Sequence, residues 1–203
     1  MAVDMYKTGW WKKDPLATCT VDELLDIIVE PSNGHFCLPK DAYNEVYPNV
    51  YISDSSTALS IYTLRLLGVT HVLNAAMGKV KGMGCVNTTA SYYKTANIKF
   101  LGVEAIDVSP FRLEKYFNEA AEFIGDALND GGCVLVHCQS GISRSTTLVV
   151  AFLMLKKLMS VREALTQVRQ HRQILPNDGF LKQLCDLNSR LHTQCHKRSS
   201  SYR

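Results

Sequence analysis

Residues 133–158, CVLVHCQSGISRSTTLVVAFLMLKKL, leave this chain few ways to fold. CVLVHC is a near-continuous apolar run, of the kind a strand shows when both its faces are covered. The helix expected next, from about Ser145 to Leu158, is apolar nearly all round, so it has to run through a core rather than lie on one. Only Cys138 to Arg144 separates the two. A doubly buried strand feeding directly into a buried helix is half of a parallel βα unit.

The rest of the chain alternates in the same way. Thr20 with Glu23 three residues later is a capping-box pattern before LLDII and predicts a peripheral first helix, broken by Pro31, Asn33 and Gly34. A loop then runs to about Tyr47. Val50–Ser53 reads as a short strand, TALSIYTLRLLG as a helix closed by Gly68, and THVLNAA as a buried strand. Gly78, Gly82 and Gly84 mark a loop before the strand Lys99–Ala105. Leu113, Tyr116, Phe117, Ala120, Ile124 and Ala127 then recur at helical spacing until Gly131-Gly132. Val161, Ala164, Leu165 and Val168 stripe another helix. Pro176-Asn177 opens the last, with Phe180, Leu181, Leu184, Leu187 and Leu191 inward. The pattern predicts an α/β fold: a mostly parallel central sheet flanked by helices, with an added N-terminal helix. At 203 residues one domain is expected, covering 20–192, between an N-terminal segment 1–19 and a flexible basic tail 193–203. Trp10 and Trp11 precede the first helix, as a hydrophobic staple onto the domain or as an exposed partner contact.

A hydrophobic fraction of 46% with 20% charged residues is ordinary for a soluble protein, and a net charge of +3 is too small for a dedicated nucleic-acid binder. Seven cysteines, without a C-x-x-C pair, argue against a zinc site and against a secreted disulfide framework. The start, MAVDMYKTGWWKKD, lacks the apolar stretch of a signal peptide, and Leu148–Leu155 is too short to cross a bilayer. The expected setting is a reducing one, cytoplasmic and/or nuclear, where a free thiolate persists. HKR near the end is too short for a targeting signal. No membrane partner is expected, and the chain is expected to be a monomer or weak dimer.

The loop between the strand and the buried helix carries the chemistry. Ligands of open α/β sheets bind at the carboxyl ends of strands. Gly141 lets the backbone of Gln139, Ser140, Gly141, Ile142, Ser143 and Arg144 curl so that successive N–H groups point inward. With the N-terminus of the next helix they form an anion site of phosphate size. Cys138 lies at its mouth, where the amides, the helix dipole and Arg144 favour thiolate over thiol. Arg144 offers a planar fork able to grip two phosphate oxygens. Ser145 places a hydroxyl beside the sulfur. The plain alternative is an inert core cysteine in a strand–turn–helix. Average residue frequencies give these spacings on the order of one chance occurrence per ten thousand chains of this length, which favours the anion site.

HCQSGISRS fits the H-C-x-x-G-x-x-R-S/T signature of the protein tyrosine phosphatase superfamily. Together with VTHVLNAA, FLGVEA and LPNDGFLKQLCDLN, the chain resembles an atypical dual-specificity phosphatase, within that group most similar to the VHR type, over about residues 20–192. The resemblance implies Cys138 as nucleophile, Arg144 as phosphate clamp, Ser145 as an aid to sulfur departure and Asp107, in VEAIDVSPF, as general acid on a separate mobile loop. Taken alone, Asp107 reads as a helix cap, although Ser109 is the better cap candidate. No metal or other cofactor is called for. His137 is expected to orient the loop and tune Cys138 without transferring protons. Asn74 either braces the loop or caps its own strand. Arg172 matches a family position that binds a second phosphate; otherwise it is a solvated helix-end cation. If it binds phosphate, pThr-x-pTyr segments such as MAP-kinase activation loops become the expected protein partners. Ser140 and Ile142 depart from VHR-type loops, which carry an acid and a Tyr there. The odd separation of five puts Cys133 and Cys138 on opposite faces of their strand. Cys85 is left as a possible redox partner of Cys138.

Overall fold

The computed structural model describes residues 18–80 and 83–200, with 194–200 as backbone only. Trp10, Trp11 and Gly82 lie outside the described residues. Five strands form one sheet in the order β1 (Tyr43–Tyr47), β2 (Val50–Ser53), β5 (Val134–His137), β3 (His71–Asn74), β4 (Lys99–Gly102). β1 pairs antiparallel with β2; every other pairing is parallel. β5 is therefore central and covered on both faces, and all four of its residues are buried. Its register aligns four strand ends, because His137 pairs with both Ser53 and Asn74, and Asn74 with Gly102. The carboxyl ends of the parallel strands thus open at one level, directly below the residues that follow β5.

The helices are α1 (Val21–Val29), α2 (Ser55–Leu59), α3 (Ile61–Leu66), α4 (Ala90–Tyr93), α5 (Phe117–Asn129), α6 (Arg144–Lys157), α7 (Val161–His171) and α8 (Asp178–Ser200). A 3-10 turn, Leu113–Tyr116, leads into α5. α6 is the core helix the sequence demands: every residue from Arg144 to Met154 is buried, against α5, α7 and α8. The α1 capping box is formed, with Thr20 Oγ1 accepting from Glu23 N at 3.2 Å and Glu23 Oε2 from Thr20 N at 3.1 Å.

Several expectations are corrected. The loop placed up to Tyr47 contains β1, an edge strand with only Val46 buried, so its sequence carries no apolar alternation. The helix over TALSIYTLRLLG is two short ones. Ser60 ends α2 and turns its hydroxyl to the N–H of Thr63 as the N-cap of α3, a local bond that competes with helix continuation. β4 stops at Gly102 rather than Ala105. α8 continues through 193–200, the stretch expected to be a tail. Cys19 and Cys185 form a disulfide across 166 residues, with Cα atoms 5.5 Å apart. No spacing rule could pair two cysteines that meet only because α1 packs beside α8. Among the described residues no helix is long and apolar enough to cross a membrane.

Candidate active site

Residues 138–143 leave the end of β5 and turn back into α6. Gly141 makes the turn with φ +68°, and a methyl group there would strike the carbonyl of Ser53. The loop's carbonyls are each drawn outward. Gln139 O accepts from Ser55 N at 3.0 Å, Ser140 O and Gly141 O from Arg172 Nη2 and Nε at 3.2 and 2.8 Å, and Ile142 O from Leu175 N at 3.1 Å. Ser143 O accepts from the amide and hydroxyl of Thr147. With the carbonyls committed outside, the N–H groups face the interior of the curl, and the α6 N-terminus adds its positive end.

Cys138 sits in that curl, 1% exposed, with Sγ 3.3 Å from Ser145 Oγ. Burial pushes its thiol up. The Ser145 hydroxyl, the Arg144 guanidinium and the backbone N–H groups of Ser145 and Ile142 together outweigh burial, so its pKa lies below the ordinary thiol value. Arg144 is 3% exposed and donates from Nη1 to Ala105 O at 3.0 Å. Its Nε lies 3.4 Å from Asp107 Oδ2. That is ion-pair distance, yet the N–H is poorly aimed and Nε makes no hydrogen bond, so the contact is coulombic and the donor is unspent. Asp107, 70 residues from Asn177 in the chain, accepts at Oδ1 from Asn177 Nδ2 and from Ser143 Oγ, each at 2.8 Å. The structure thus brings Cys138, Ser145, Arg144 and Asp107 to one place. A groove of about 590 Å³ borders the loop at Gln139, Ser140 and Ile142 and extends to Lys40 and Asp54.

His137 is fully buried. Its Nδ1 donates to Cys138 O at 3.1 Å, its Nε2 has no partner, and burial holds its pKa down at about 4. A neutral ring is thus fixed to the Cys138 carbonyl. Asn74 does not brace the phosphate loop. Its Nδ2 donates to Val86 O and Thr88 Oγ1 at 2.8 and 2.9 Å, and its Oδ1 accepts from Ala76 N, so it ties the glycine-rich loop to the end of β3.

Arg172 is not a solvated helix-end cation. It is 3% exposed, and besides Ser140 and Gly141 it donates from Nη1 to Asp41 O and Asn44 Oδ1 at 3.0 and 2.7 Å. It also lines the groove beside Gln139, Ser140 and Ile142.

A family model described as "Dual specificity phosphatase, catalytic domain" matches residues 50–190 of the 203. The chain belongs to that family. Among solved structures, this dual-specificity phosphatase domain shares its fold with human DUSP28, at 23% identity over 77% of this chain and 99% of that one, with a TM-score of 0.65. A mouse putative dual specificity phosphatase complexed with zinc tungstate gives 25% identity, 76% and 91% coverage and a TM-score of 0.65. PTPMT1 in complex with PI(5)P gives 22%, 76% and 99%, and 0.64.

Three parts of this candidate site escaped the sequence. One is the Ser143–Asp107–Asn177 linkage. The second is the outward pull of Arg172 on the loop carbonyls. The third is Gly84, φ +62°, where a methyl would come within 3.0 Å of Arg144 Nη2, so the glycine-rich loop lies against the guanidinium. Repeated glycines signalled that loop, but nothing in their spacing said what it covers.

Proposed function

We propose that this chain is a protein phosphatase that hydrolyses phosphotyrosine and phosphoserine or phosphothreonine through a phosphocysteine. The observation that carries the reading is the meeting of a stabilised Cys138 thiolate with Asp107 across Arg144. The curl of N–H groups and the unspent Nε of Arg144 receive the phosphoryl oxygens. Cys138 Sγ then attacks phosphorus. An S–P bond forms, the ester P–O bond breaks, and its electron pair stays on the leaving oxygen, which takes a proton from Asp107. In the second step Asp107, now a carboxylate, takes a proton from water as that water attacks phosphorus. The S–P electron pair returns to sulfur, where the Ser145 hydroxyl, 3.3 Å away, stabilises it.

Gln139, Ser140, Ile142 and Ser143 carry no charge, which suits a singly phosphorylated side chain better than a highly anionic headgroup. Arg172 borders the same groove, so phosphorylated loops of the MAP-kinase kind stay within the proposed substrates.

The test is hydrolysis of p-nitrophenyl phosphate in the presence of a metal chelator by wild type, Cys138→Ser and Asp107→Asn, with acid-quenched mass mapping of Cys138. Turnover lost in Cys138→Ser, and a phosphoryl group mapped on Cys138 in the wild type, are expected. Phosphotyrosine and phosphothreonine peptides are then compared with PI(5)P vesicles. Wild-type turnover no greater than that of Cys138→Ser sinks the enzyme reading and leaves a phosphoprotein-binding module. Faster hydrolysis of the lipid sinks the protein-substrate part alone.

A further inference from the structure

Asp107 does not hang from a free loop. The two donors to its Oδ1 come from elsewhere: Ser143 from the phosphate loop, Asn177 from the N-cap of α8. Asn177 has two tasks. Its Oδ1 accepts from Phe180 N at 3.1 Å and caps the helix, which leaves Nδ2 for the carboxylate. Its backbone N–H donates to Ser143 Oγ at 3.3 Å, and that hydroxyl passes its own hydrogen to Asp107, closing a ring. α8 grips the same segment beyond Asp107. Gly179 lies so close to Ser109 that a methyl on it would collide with the Ser109 carbonyl. Gln183 donates to Phe111 O and accepts from Glu114 N, both at 2.8 Å. The loop expected to be mobile is therefore seated, by α8, at 107, 109, 111 and 114.

We infer that Asn177 is a positioning residue for the general acid, its amide and the Ser143 hydroxyl reserving Asp107 Oδ1 as an acceptor so that the transferable proton rides on Oδ2. An oxygen already receiving two hydrogens has no room to carry a third. Oδ2 is the oxygen beside Arg144 Nε, so the proton is held next to the guanidinium that grips the phosphoryl group. After transfer the carboxylate is still held at Oδ1, in place to take a proton from water. The inference rests on the assignment of Asp107 as the acid.

The experiment exploits leaving groups. The full-length chain and its Asp107→Asn, Asn177→Ser and Ser143→Ala variants are assayed for kcat/KM on phenyl phosphate, whose leaving oxygen needs a proton, and on 2,4-dinitrophenyl phosphate, whose leaving group departs without one. Serine caps a helix about as well as asparagine, so Asn177→Ser keeps α8 and its thermal midpoint while removing the donor. Asp107→Asn should lose on the order of a hundredfold on phenyl phosphate and little on the dinitrophenyl ester. Asn177→Ser and Ser143→Ala should each lose about tenfold on phenyl phosphate and less than about twofold on the other. Equal losses on both esters, or no loss on phenyl phosphate, overturn the inference. If Asp107→Asn itself fails to separate the two esters, the acid assignment is what has failed.

Discussion

The two ends of β5 each carry a buried cysteine, and they differ in the one property that matters for chemistry. Cys133, 8% exposed, enters the strand; its Sγ donates to Leu67 O at 3.7 Å, and burial, helped by the charge of Glu45, raises its pKa to about 11. Cys138, 1% exposed, leaves the strand, and its pKa is lowered. The more buried thiol is the more acidic. Burial pushes both upward, so the difference comes from what each end of the strand offers: a carbonyl that accepts from a thiol at one, and N–H groups, a hydroxyl and a guanidinium that donate to a thiolate at the other. A parallel strand delivers its carboxyl end to helix N-termini. The direction of β5 therefore decides which cysteine meets these donors.

The largest expected effect is in alkylation. Iodoacetate at pH 6, followed by peptide mapping, should modify Cys138 at least about a hundredfold faster than Cys133, because only thiolate reacts and the two pKa values lie on opposite sides of the free thiol. Inorganic phosphate should protect Cys138, and loss of activity should track its modification. Comparable rates at the two sites would mean that the loop does not stabilise the thiolate.

Next in size is the contribution of one donor. Ser145→Ala removes the strongest of the influences that oppose burial at Cys138. The thiolate then forms only at higher pH, so the acid limb of kcat/KM for p-nitrophenyl phosphate moves upward in pH. Release of sulfur from phosphocysteine slows as well, on the order of tenfold in kcat. A limb that stays in place would leave Arg144 and the backbone N–H groups as sufficient.

What the sequence disclosed follows the same division between near and far. β5, the loop and α6 are one continuous stretch, so their apolar pattern, Gly141 and the Cys138–Arg144 spacing were legible together. Asp107 was legible only through its place after the β4 segment and through the family resemblance. The partners of Arg172, Asn74 and Asn177 were not legible, because each acts across a gap that the sequence does not measure. Arg172 reaches Gly141 over 31 residues and Asn177 reaches Asp107 over 70. A polar residue at a helix end looks the same in sequence whether it faces water, caps its own helix or holds another loop. β1 stayed hidden because an edge strand with a single buried residue has no period to read.

The smallest expected effect sharpens the comparison from the other side. If Cys133 is only a packed, protonated thiol, Cys133→Ala should cost stability and nothing else. The Sγ hydrogen bond to Leu67 O and the packing of one sulfur in the smaller core cluster are lost. Both losses are modest, about 1 kcal/mol together. In a domain of this size that lowers the thermal midpoint by about 2–4 °C. Activity at 25 °C should stay within about twofold of wild type, since a deficit of about 1 kcal/mol leaves nearly all of the chain folded when total stability is about 5 kcal/mol or more. A larger fall in kcat would require Cys133 to influence the far end of β5 through the strand itself. That would contradict the conclusion that the reactivity of Cys138 is set by donors gathered at one end of the strand.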